Sequence, residues 1–333
     1  MTVTVTAQPQ GYTIADLGTL GGIRSSAYGL NNRGHVVGHS ETSEGNIHAF
    51  LYEGATMIDL GTLGGRSSYA YRINDAGIIV GRAENEAGLY RAFFTRSGSP
   101  MVDIGLLDLG FQEFSTALGI NMRGHIVGYR HQPGDHMTAH NRVFRFIDNR
   151  TEDLGTFGGE DGVVTAINDA GQMVGSFGTE PHADYADRRA FITTTAGVGI
   201  PLGTLGGRVS VALDLNDAGE AAGNAQTPTG QYHGFVYRSA TLIDIGTLPG
   251  GKQSFAHGIN RPGDVVGSAD SGETLRAVIY RDGALTDLNT YLAASAGWVL
   301  NEARAINDSG QIVGTGLING QQHAFLLSPR RGR

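Results

Sequence analysis

The chain has 333 residues, of which 24 are Lys or Arg and 32 are Asp or Glu, so its net charge is -8. This charge argues against nucleic-acid binding, because no surplus of cations is available to pair with phosphates. The chain has no cysteine and no run of 18 apolar residues. These absences exclude disulfides, thiolate metal ligands, a cysteine nucleophile and a membrane-spanning helix. Glycine is enriched, with 52 residues, and helical periodicity is lacking, which favours an all-β fold.

One segment of twelve residues recurs seven times along the chain. It begins as AYGLNNRGHVVG at 27–38 and returns at 70–81, 117–128, 164–175, 212–223, 256–267 and 303–314. The central asparagines are Asn31, Asn74, Asn121, Asn168, Asn216, Asn260 and Asn307, and a glycine follows each one seven residues later. Their mean spacing of about 46 residues is typical of propeller blades.

Each repeat is predicted to form four short strands. The Ala-x-x-Ile-Asn segment is the first strand, and an Asn-x-x-Gly turn leads to the Val-Val-Gly second strand. The third strand begins in the first repeat as HAFLY (48–52), and the fourth is MIDLG (57–61). Four-stranded units in tandem predict a seven-bladed β-propeller.

The two ends of the chain predict how the ring closes. The seventh repeat stops at HAFLLSP (323–329) and lacks a fourth strand, whereas YTIADLG (12–18) has a fourth-strand sequence with no repeat before it. We therefore expect the N-terminal strand to complete the last blade and leave no exposed sheet edge at the seam. The predicted organisation is a tail at 1–11, one propeller domain at 12–329 and a basic tail at 330–333. The alternative is an open solenoid.

Two motifs carry a resemblance to a known family. They are the triplets His48-Ala49-Phe50 and His323-Ala324-Phe325, and the DLGTLGG segments at 16–22 and 59–65, with near copies at 153–159 and 244–251. Together they resemble the HAF-repeat family of bacterial proteins, over residues 12–327. The resemblance implies a propeller-like fold in proteins that are usually extracellular, and no catalytic residue that could be transferred. The N-terminus lacks the features of a secretion signal, so the chain is predicted to be cytoplasmic, or extracellular if a signal has been removed.

Loop lengths predict which face of the propeller carries the site. The turns between first and second strands are all alike, whereas the loops between second and third strands are longest in repeats three and four. Variable loops more often carry binding. We therefore place the site at the mouth of the central channel on this variable face.

A ring of polar side chains is predicted at this mouth, just before each asparagine. Three residues before it lie Tyr28, Tyr71, Leu118, Thr165, Leu213, His257 and Arg304. Two residues before it, Arg72 and Asp214 replace a residue that is otherwise Gly or Ala. Further toward the mouth lie Tyr69, Phe255 and Glu302. The ring predicts either a site for a polar ligand or a packed hydrogen-bond network between blades.

Other candidate residues lie in loops. The segment 130–141 contains Arg130, His131 and His136, and the neighbouring loop contains His182. These residues suggest a metal site, a lid with acid–base histidines or, as the favoured interpretation, a solvated loop. Trp298 is interpreted either as a stacking platform for a ligand or, preferentially, as a local hydrophobic contact.

These residues predict an enzyme that needs neither metal nor cofactor and acts on a small biosynthetic molecule as a cyclase, isomerase or lyase. Its oligomeric state is left open, with a monomer as the default. The predicted catalytic residues are His257, His131, Tyr28 and Tyr71. The predicted ligand-binding residues are Arg72, Arg304, Asp214, Glu302, Trp298, Tyr69, Phe255, Arg130, His136 and His182. The alternative is a non-catalytic scaffold for a protein or a carbohydrate, with Trp298 and the long loops as its contact surface.

Overall fold

The computed structural model describes residues 11–105, 114–132, 140–178, 187–272 and 274–330, which form short strands and two 3-10 turns. The first fourteen strands are β1 (Tyr12–Asp16), β2 (Gly21–Leu30), β3 (Val36–Thr42), β4 (Ile47–Glu53), β5 (Thr56–Asp59), β6 (Gly64–Ile73), β7 (Ile79–Asn85), β8 (Tyr90–Thr95), β9 (Val102–Asp103), β10 (Ser115–Ile120), β11 (Ile126–Gln132), β12 (His140–Ile147), β13 (Arg150–Gly155) and β14 (Gly162–Ile167). The others are β15 (Met173–Gly178), β16 (Arg188–Thr193), β17 (Gly199–Gly203), β18 (Ser210–Leu215), β19 (Ala221–Gln226), β20 (Tyr232–Arg238), β21 (Thr241–Asp244), β22 (Ser254–Ile259), β23 (Val265–Asp270), β24 (Leu275–Arg281), β25 (Ala284–Asp287), β26 (Trp298–Ile306), β27 (Ile312–Ile318) and β28 (Gln321–Pro329). The 3-10 turns are Leu288–Tyr291 and Ala294–Ala296.

The strands form antiparallel sheets, five with four strands and one with eight. The eight-stranded sheet contains two sets of four strands, β2–β5 and β6–β9. One parallel pair of residues, Ile47 and Ser67, joins the two sets. No helix in the described part of the chain is long and apolar enough to cross a membrane. The all-β prediction is confirmed.

The N-terminal strand completes the last sheet, as the sequence predicts. β1 pairs with β28 from Tyr12 opposite Pro329 to Asp16 opposite Phe325. Tyr12 is buried, and its ring meets that of Tyr291 edge to face at 5.8 Å. A serine also links the first repeat to the last one. Ser25 Oγ accepts a hydrogen bond from the backbone N–H of Ala324 at 2.9 Å. Equivalent serines, Ser68, Ser115, Ser210 and Ser254, accept from backbone N–H groups of the preceding repeats.

The HAF and DLG motifs both have structural roles. The phenylalanine of the third strand is fully buried in six repeats, as Phe50, Phe93, Phe144, Phe191, Phe235 and Phe325. In five repeats the His or Arg two residues earlier bonds the aspartate of the fourth strand, as in His48–Asp59 and His233–Asp244, both at 2.8 Å. That aspartate also accepts the backbone N–H of the glycine two residues on, so it fixes the turn. These histidines therefore have a structural role.

The glycine seven residues after each asparagine is required by close packing. A Cβ placed on Gly38 would lie 2.0 Å from the Ser26 carbonyl oxygen and 2.9 Å from the Phe50 ring. The other six glycines at this position meet the same kind of obstruction from backbone, between 1.7 and 2.1 Å. Any larger residue would therefore push the first strand and the phenylalanine apart.

The seven asparagines form a closed chain of hydrogen bonds around the channel. In each one Nδ2 donates to the backbone carbonyl of the next asparagine, at distances from 2.9 to 3.2 Å, and Asn307 donates back to Asn31. The Oδ1 atom accepts from the backbone N–H four residues later, so the same side chain also closes its own turn. All seven side chains are buried. The repeat motif thus joins neighbouring units as well as shaping a turn.

We expect Asn74→Ala to lower the free energy of unfolding by about 2–4 kcal/mol, because the substitution removes two buried hydrogen bonds and leaves their partners unsatisfied. Urea denaturation followed by circular dichroism measures this change. The matched control is Gln321→Ala, which truncates an exposed amide and should cost less than about 0.5 kcal/mol. Equal losses in the two variants would contradict the role of the asparagine chain.

Candidate functional site

A β-bulge in each first strand directs one side chain into the channel. The pairing of first and second strands slips by one residue at the position three before the asparagine, for example between Ala27 and Gly29. The same slip occurs in the six other repeats. A bulge re-aims the extra side chain, so the seven side chains predicted to form a ring do converge.

The converging side chains line a cavity of about 360 Å³. Its lining residues are Tyr28, Tyr71, Arg72, Leu118, Thr165, Leu213, His257 and Arg304. Every repeat contributes its bulged residue, and Arg72 is the one additional member. The volume lies within the range of small-molecule sites in proteins. Leu118 and Leu213 make one part of the wall apolar, whereas the remainder is polar and aromatic.

A hydrogen-bonded acid–base cluster forms the part of the wall contributed by the last two repeats. His257 Nε2 lies 3.1 Å from Glu302 Oε1, and Arg304 Nη2 lies 2.9 Å from Glu302 Oε2. Burial lowers the pKa of His257 despite the opposing effect of Glu302. Burial acts to raise the pKa of Glu302, but His257 and Arg304 outweigh it and leave that pKa below its usual value. At neutral pH the cluster therefore holds a carboxylate and a neutral imidazole.

The tautomer of His257 follows from this contact. Because Nε2 faces a carboxylate, it carries the proton of the neutral ring. Nδ1 then has the free lone pair, and this buried atom has no hydrogen-bond partner within the described residues. A carboxylate that orients a neutral imidazole in this way is the arrangement of a general base.

An aromatic cluster continues the wall on the other side of Arg304. Arg304 Cζ lies 5.5 Å from the centre of the Tyr28 ring, and Tyr28 packs against both Tyr71 and His39, with centroid distances of 5.6 and 5.3 Å. Next to His39, Tyr69 lies at 5.1 Å. Burial raises the pKa values of Tyr28 and Tyr71. Their hydroxyls therefore remain protonated hydrogen-bond donors.

Arg82 lies at the centre of this aromatic cluster. Its guanidinium carbon is 4.9 Å from the Tyr69 ring centre, 4.8 Å from that of Tyr90 and 5.4 Å from that of Phe114. Cations are attracted to the faces of aromatic rings at such distances. The three rings therefore restrict the position of this side chain.

His39 lies in the electrostatic field of two arginines. Burial and the positive charges of Arg304 and Arg82 lower the pKa of His39 from 6.5 to about 4. Its imidazole is therefore neutral at pH 7 and adds no further positive charge to the wall.

Sequence reasoning missed His39, Arg82 and Tyr129, which lie eight residues after their asparagines. In the second strand this position faces the residue five before the asparagine, as in Tyr69 opposite Arg82. The sequence does indicate that this position is special, because it is polar in every repeat but varies among His, Arg, Tyr, Ser, Asn and Thr. Only the strand register shows that it belongs to the channel.

An ion pair divides the channel. Arg72 Nη2 lies 3.3 Å from Asp214 Oδ1, although the two residues come from the second and fifth repeats. Asp214 also accepts the backbone N–H of Ile259 at 3.0 Å. Beyond the pair, toward the asparagine turns, a second cavity of about 230 Å³ is lined by Asp75, Asp169, Asp217 and Asp308, among others. Arg72 lines both cavities, so the ion pair lies between them.

Three predicted ligand-binding or catalytic residues lie elsewhere. Trp298 is partly buried and packs edge to face on buried Phe325, at 6.2 Å, a contact of the kind that the hydrophobic interpretation predicted. Arg130 is buried and pairs with Asp153 at 2.6 Å, so its charge is used in a contact within its own sheet. His131 lies 3.2 Å from Asn141 on the neighbouring strand and does not line the cavity.

The other predicted residues fall into two groups. Phe255 stacks on Tyr232 at 6.5 Å, in the same layer of the channel wall as Tyr69 and Glu302. His136 and His182 lie outside the described residues. Within the described ranges, no group of three or more His, Asp or Glu is placed to hold a metal ion.

The low pKa of His39 predicts an acid-sensitive fold. Between pH 7 and pH 4 the unfolded chain binds a proton at His39 that the folded protein does not bind, so stability falls as the pH falls. A pKa of about 4 instead of 6.5 corresponds to about 3 kcal/mol at pH values below both. Urea denaturation measures the free energy of unfolding at pH 7 and at pH 4. The drop between these two pH values should be about 3 kcal/mol smaller for His39→Gln than for wild type. The control is His35→Gln, on the opposite face, and an equal loss in both variants would contradict the assignment.

Comparisons with known proteins show the fold. The chain matches no protein-family model and no curated protein sequence. Among solved structures, it resembles a puromycin hydrolase with a TM-score of 0.62 and 11% identity, over 97% of this chain and 55% of that one. It also resembles a puromycin-hydrolysing peptidase of Mycobacterium tuberculosis, with a TM-score of 0.58 and 14% identity, over 93% and 53% of the two chains.

The β-propeller domain of the Trilobed protease from Pyrococcus furiosus is similar over almost its whole length. Its TM-score is 0.58 at 11% identity, with 93% of this chain and 97% of that one covered. The present chain spans only about half the length of the two hydrolases. At these identities the likeness concerns architecture alone. The protein therefore has a β-propeller fold.

Proposed function

We propose that this protein is a seven-bladed propeller, closed by its N-terminal strand, that binds a small organic molecule in the channel cavity. The seven-member asparagine chain and the pairing of β1 with β28 support the closed ring. The single residue pair between β4 and β6 supports counting the eight-stranded sheet as two blades. The observation that carries the function is the cavity itself, into which seven bulged positions direct seven side chains of differing chemistry.

The ligand enters from the variable face. On the other side, the Arg72–Asp214 pair separates the cavity from the asparagine turns. The wall offers the His257–Glu302–Arg304 cluster, tyrosine hydroxyls and an apolar part at Leu118 and Leu213. These groups suit a ligand with a polar head and an apolar body.

The same groups support acid–base catalysis that needs no cofactor. Neutral His257 is oriented by Glu302 and lines the cavity, so it is the proton acceptor in this proposal. Tyr28 and Tyr71 donate hydrogen bonds from protonated hydroxyls, and Arg304 stabilises negative charge. Proton removal and return is the common step of cyclisation, isomerisation and elimination. The partial burial of Trp298 against Phe325 supports the ligand cavity over the alternative scaffold function.

Filling the cavity should abolish ligand binding. Leu118→Trp places a large ring where an aliphatic side chain lines the cavity, whereas Leu89→Trp changes a comparably sized, exposed side chain. Purified proteins are incubated with a metabolite extract of the source organism, and retained molecules are identified by ultrafiltration and mass spectrometry. We expect wild type and Leu89→Trp to retain a ligand that Leu118→Trp does not. Equal retention by the two variants, or none by wild type, would overturn the proposal.

Catalysis predicts a second result with the same extracts. Wild type should consume the retained molecule and release a product, while His257→Ala and Glu302→Gln should bind it and convert it at least about 100-fold more slowly. The control is His35→Gln, which lies on the other face and should convert at the wild-type rate. Retention without conversion by wild type would establish a binding protein and reject the enzyme.

A further inference from the structure

Arg82 differs from the other arginines of the channel and its surroundings. Arg72 pairs with Asp214, Arg304 with Glu302, and Arg130 with Asp153. Arg82 lies beside three aromatic rings, and no carboxylate among the described residues pairs with it. Its Nε is buried without a hydrogen-bond partner in that part of the chain. A partly buried cation with no counter-charge is costly unless a partner is supplied.

The position of Arg82 ties this unpaired charge to the cavity. The Arg82 guanidinium carbon lies 4.9 Å from the ring centre of Tyr69. Tyr69 packs on His39 at 5.1 Å, and His39 packs at 5.3 Å on Tyr28, a residue that lines the cavity. The charge of Arg82 also acts on the pKa values of His39, Tyr28 and Tyr71, and Arg304 acts on the first two. The described carboxylates of the site pair with other groups: Asp214 pairs with Arg72, and Glu302 bonds both Arg304 and His257. The positive charge of Arg82 is therefore not compensated by any carboxylate among the described residues of the site.

We propose that Arg82 is the anchor for a carboxylate group of the ligand, so that the molecules bound are small carboxylic acids with an apolar body. This inference rests on the proposed ligand cavity. A planar guanidinium matches a planar carboxylate with two parallel hydrogen bonds. The neighbouring rings restrict the arginine before the ligand arrives, which reduces the entropy lost on binding. Leu118 and Leu213 provide the apolar wall that receives the rest of the molecule.

The test compares an acid with an uncharged molecule of the same shape. The probes are 3-phenylpropanoate, 3-phenylpropanamide and inorganic phosphate, and their dissociation constants are measured by calorimetry and by ligand-observed NMR. Wild type should bind the acid about 10- to 100-fold more tightly than the amide. Arg82→Gln should lose that preference and bind the amide as wild type does, while Arg82→Lys should retain part of it.

Controls separate an anchoring role from a structural one. Arg66→Gln changes an exposed arginine on the adjacent strand β6 and should bind the acid as wild type does. Because no carboxylate in the described part of the chain pairs with Arg82, Arg82→Gln should keep the wild-type melting temperature or raise it. A variant that melts several degrees lower and loses both probes together would identify a structural residue and overturn the proposal.

The remaining outcomes distinguish the two proposals. If Leu118→Trp abolishes binding of both probes but Arg82→Gln retains the preference for the acid, the proposed role of Arg82 is wrong. The proposal that the cavity binds ligands is then still supported. If phosphate binds through Arg82 while acid and amide bind equally, the anchor recognises phosphate and the carboxylate assignment is overturned. If no probe binds wild type, the cavity proposal fails as well.

Discussion

The closed chain of asparagine side chains holds the whole structure in register. Each amide closes its own turn through Oδ1 and joins the next repeat through Nδ2, and the last one returns to the first. Because all seven are buried, each hydrogen bond is formed away from competing water, and leaving one unmade is costly. The first strands therefore end at fixed points around the axis. Everything that faces the channel is positioned relative to these points.

A bulge turns this fixed frame into a site. At the position three before the asparagine the strand carries one residue more than its partner, and the extra side chain is directed inward. The neighbouring position approaches the backbone of the next repeat, since a Cβ on Gly119 would lie 2.9 Å from Ala166 Cα. The position two before the asparagine therefore carries a small residue for close packing in most repeats, whereas the bulged position three before it differs in chemistry from repeat to repeat. Arg72 and Asp214 break the small-residue rule and meet across the channel, where each neutralises the other.

The sequence predicted the fold well because its strongest signals are steric and periodic. The glycine after each Val-Val pair is required by a backbone contact, and the asparagine by two hydrogen bonds, so both recur where the structure needs them. The bulged residues were also predictable, as they vary at a fixed distance from an unvarying marker. Membership of the HAF-repeat family and a cytoplasmic location stay predictions.

Contacts between strands were harder to predict. His39 and Arg82 lie on second strands, and only the register places them opposite first-strand residues of the channel. Arg130 and His131 are consecutive residues of one strand, so their side chains face opposite sides of the sheet. The Arg130 guanidinium contacts Asp153. Trp298 is the first residue of β26, and its contact with Phe325 on β28 is a tertiary one. Residue types alone therefore could not separate ligand contacts from structural pairs.

The most direct test of this account is a crystal structure of the protein soaked with 3-phenylpropanoate. The account predicts electron density for the acid within the cavity, with its carboxylate against the Arg82 guanidinium and its ring toward Leu118 and Leu213. Density on the side of the asparagine turns, or a cavity that stays empty at saturating acid, would contradict the claim that the bulged residues form a ligand site.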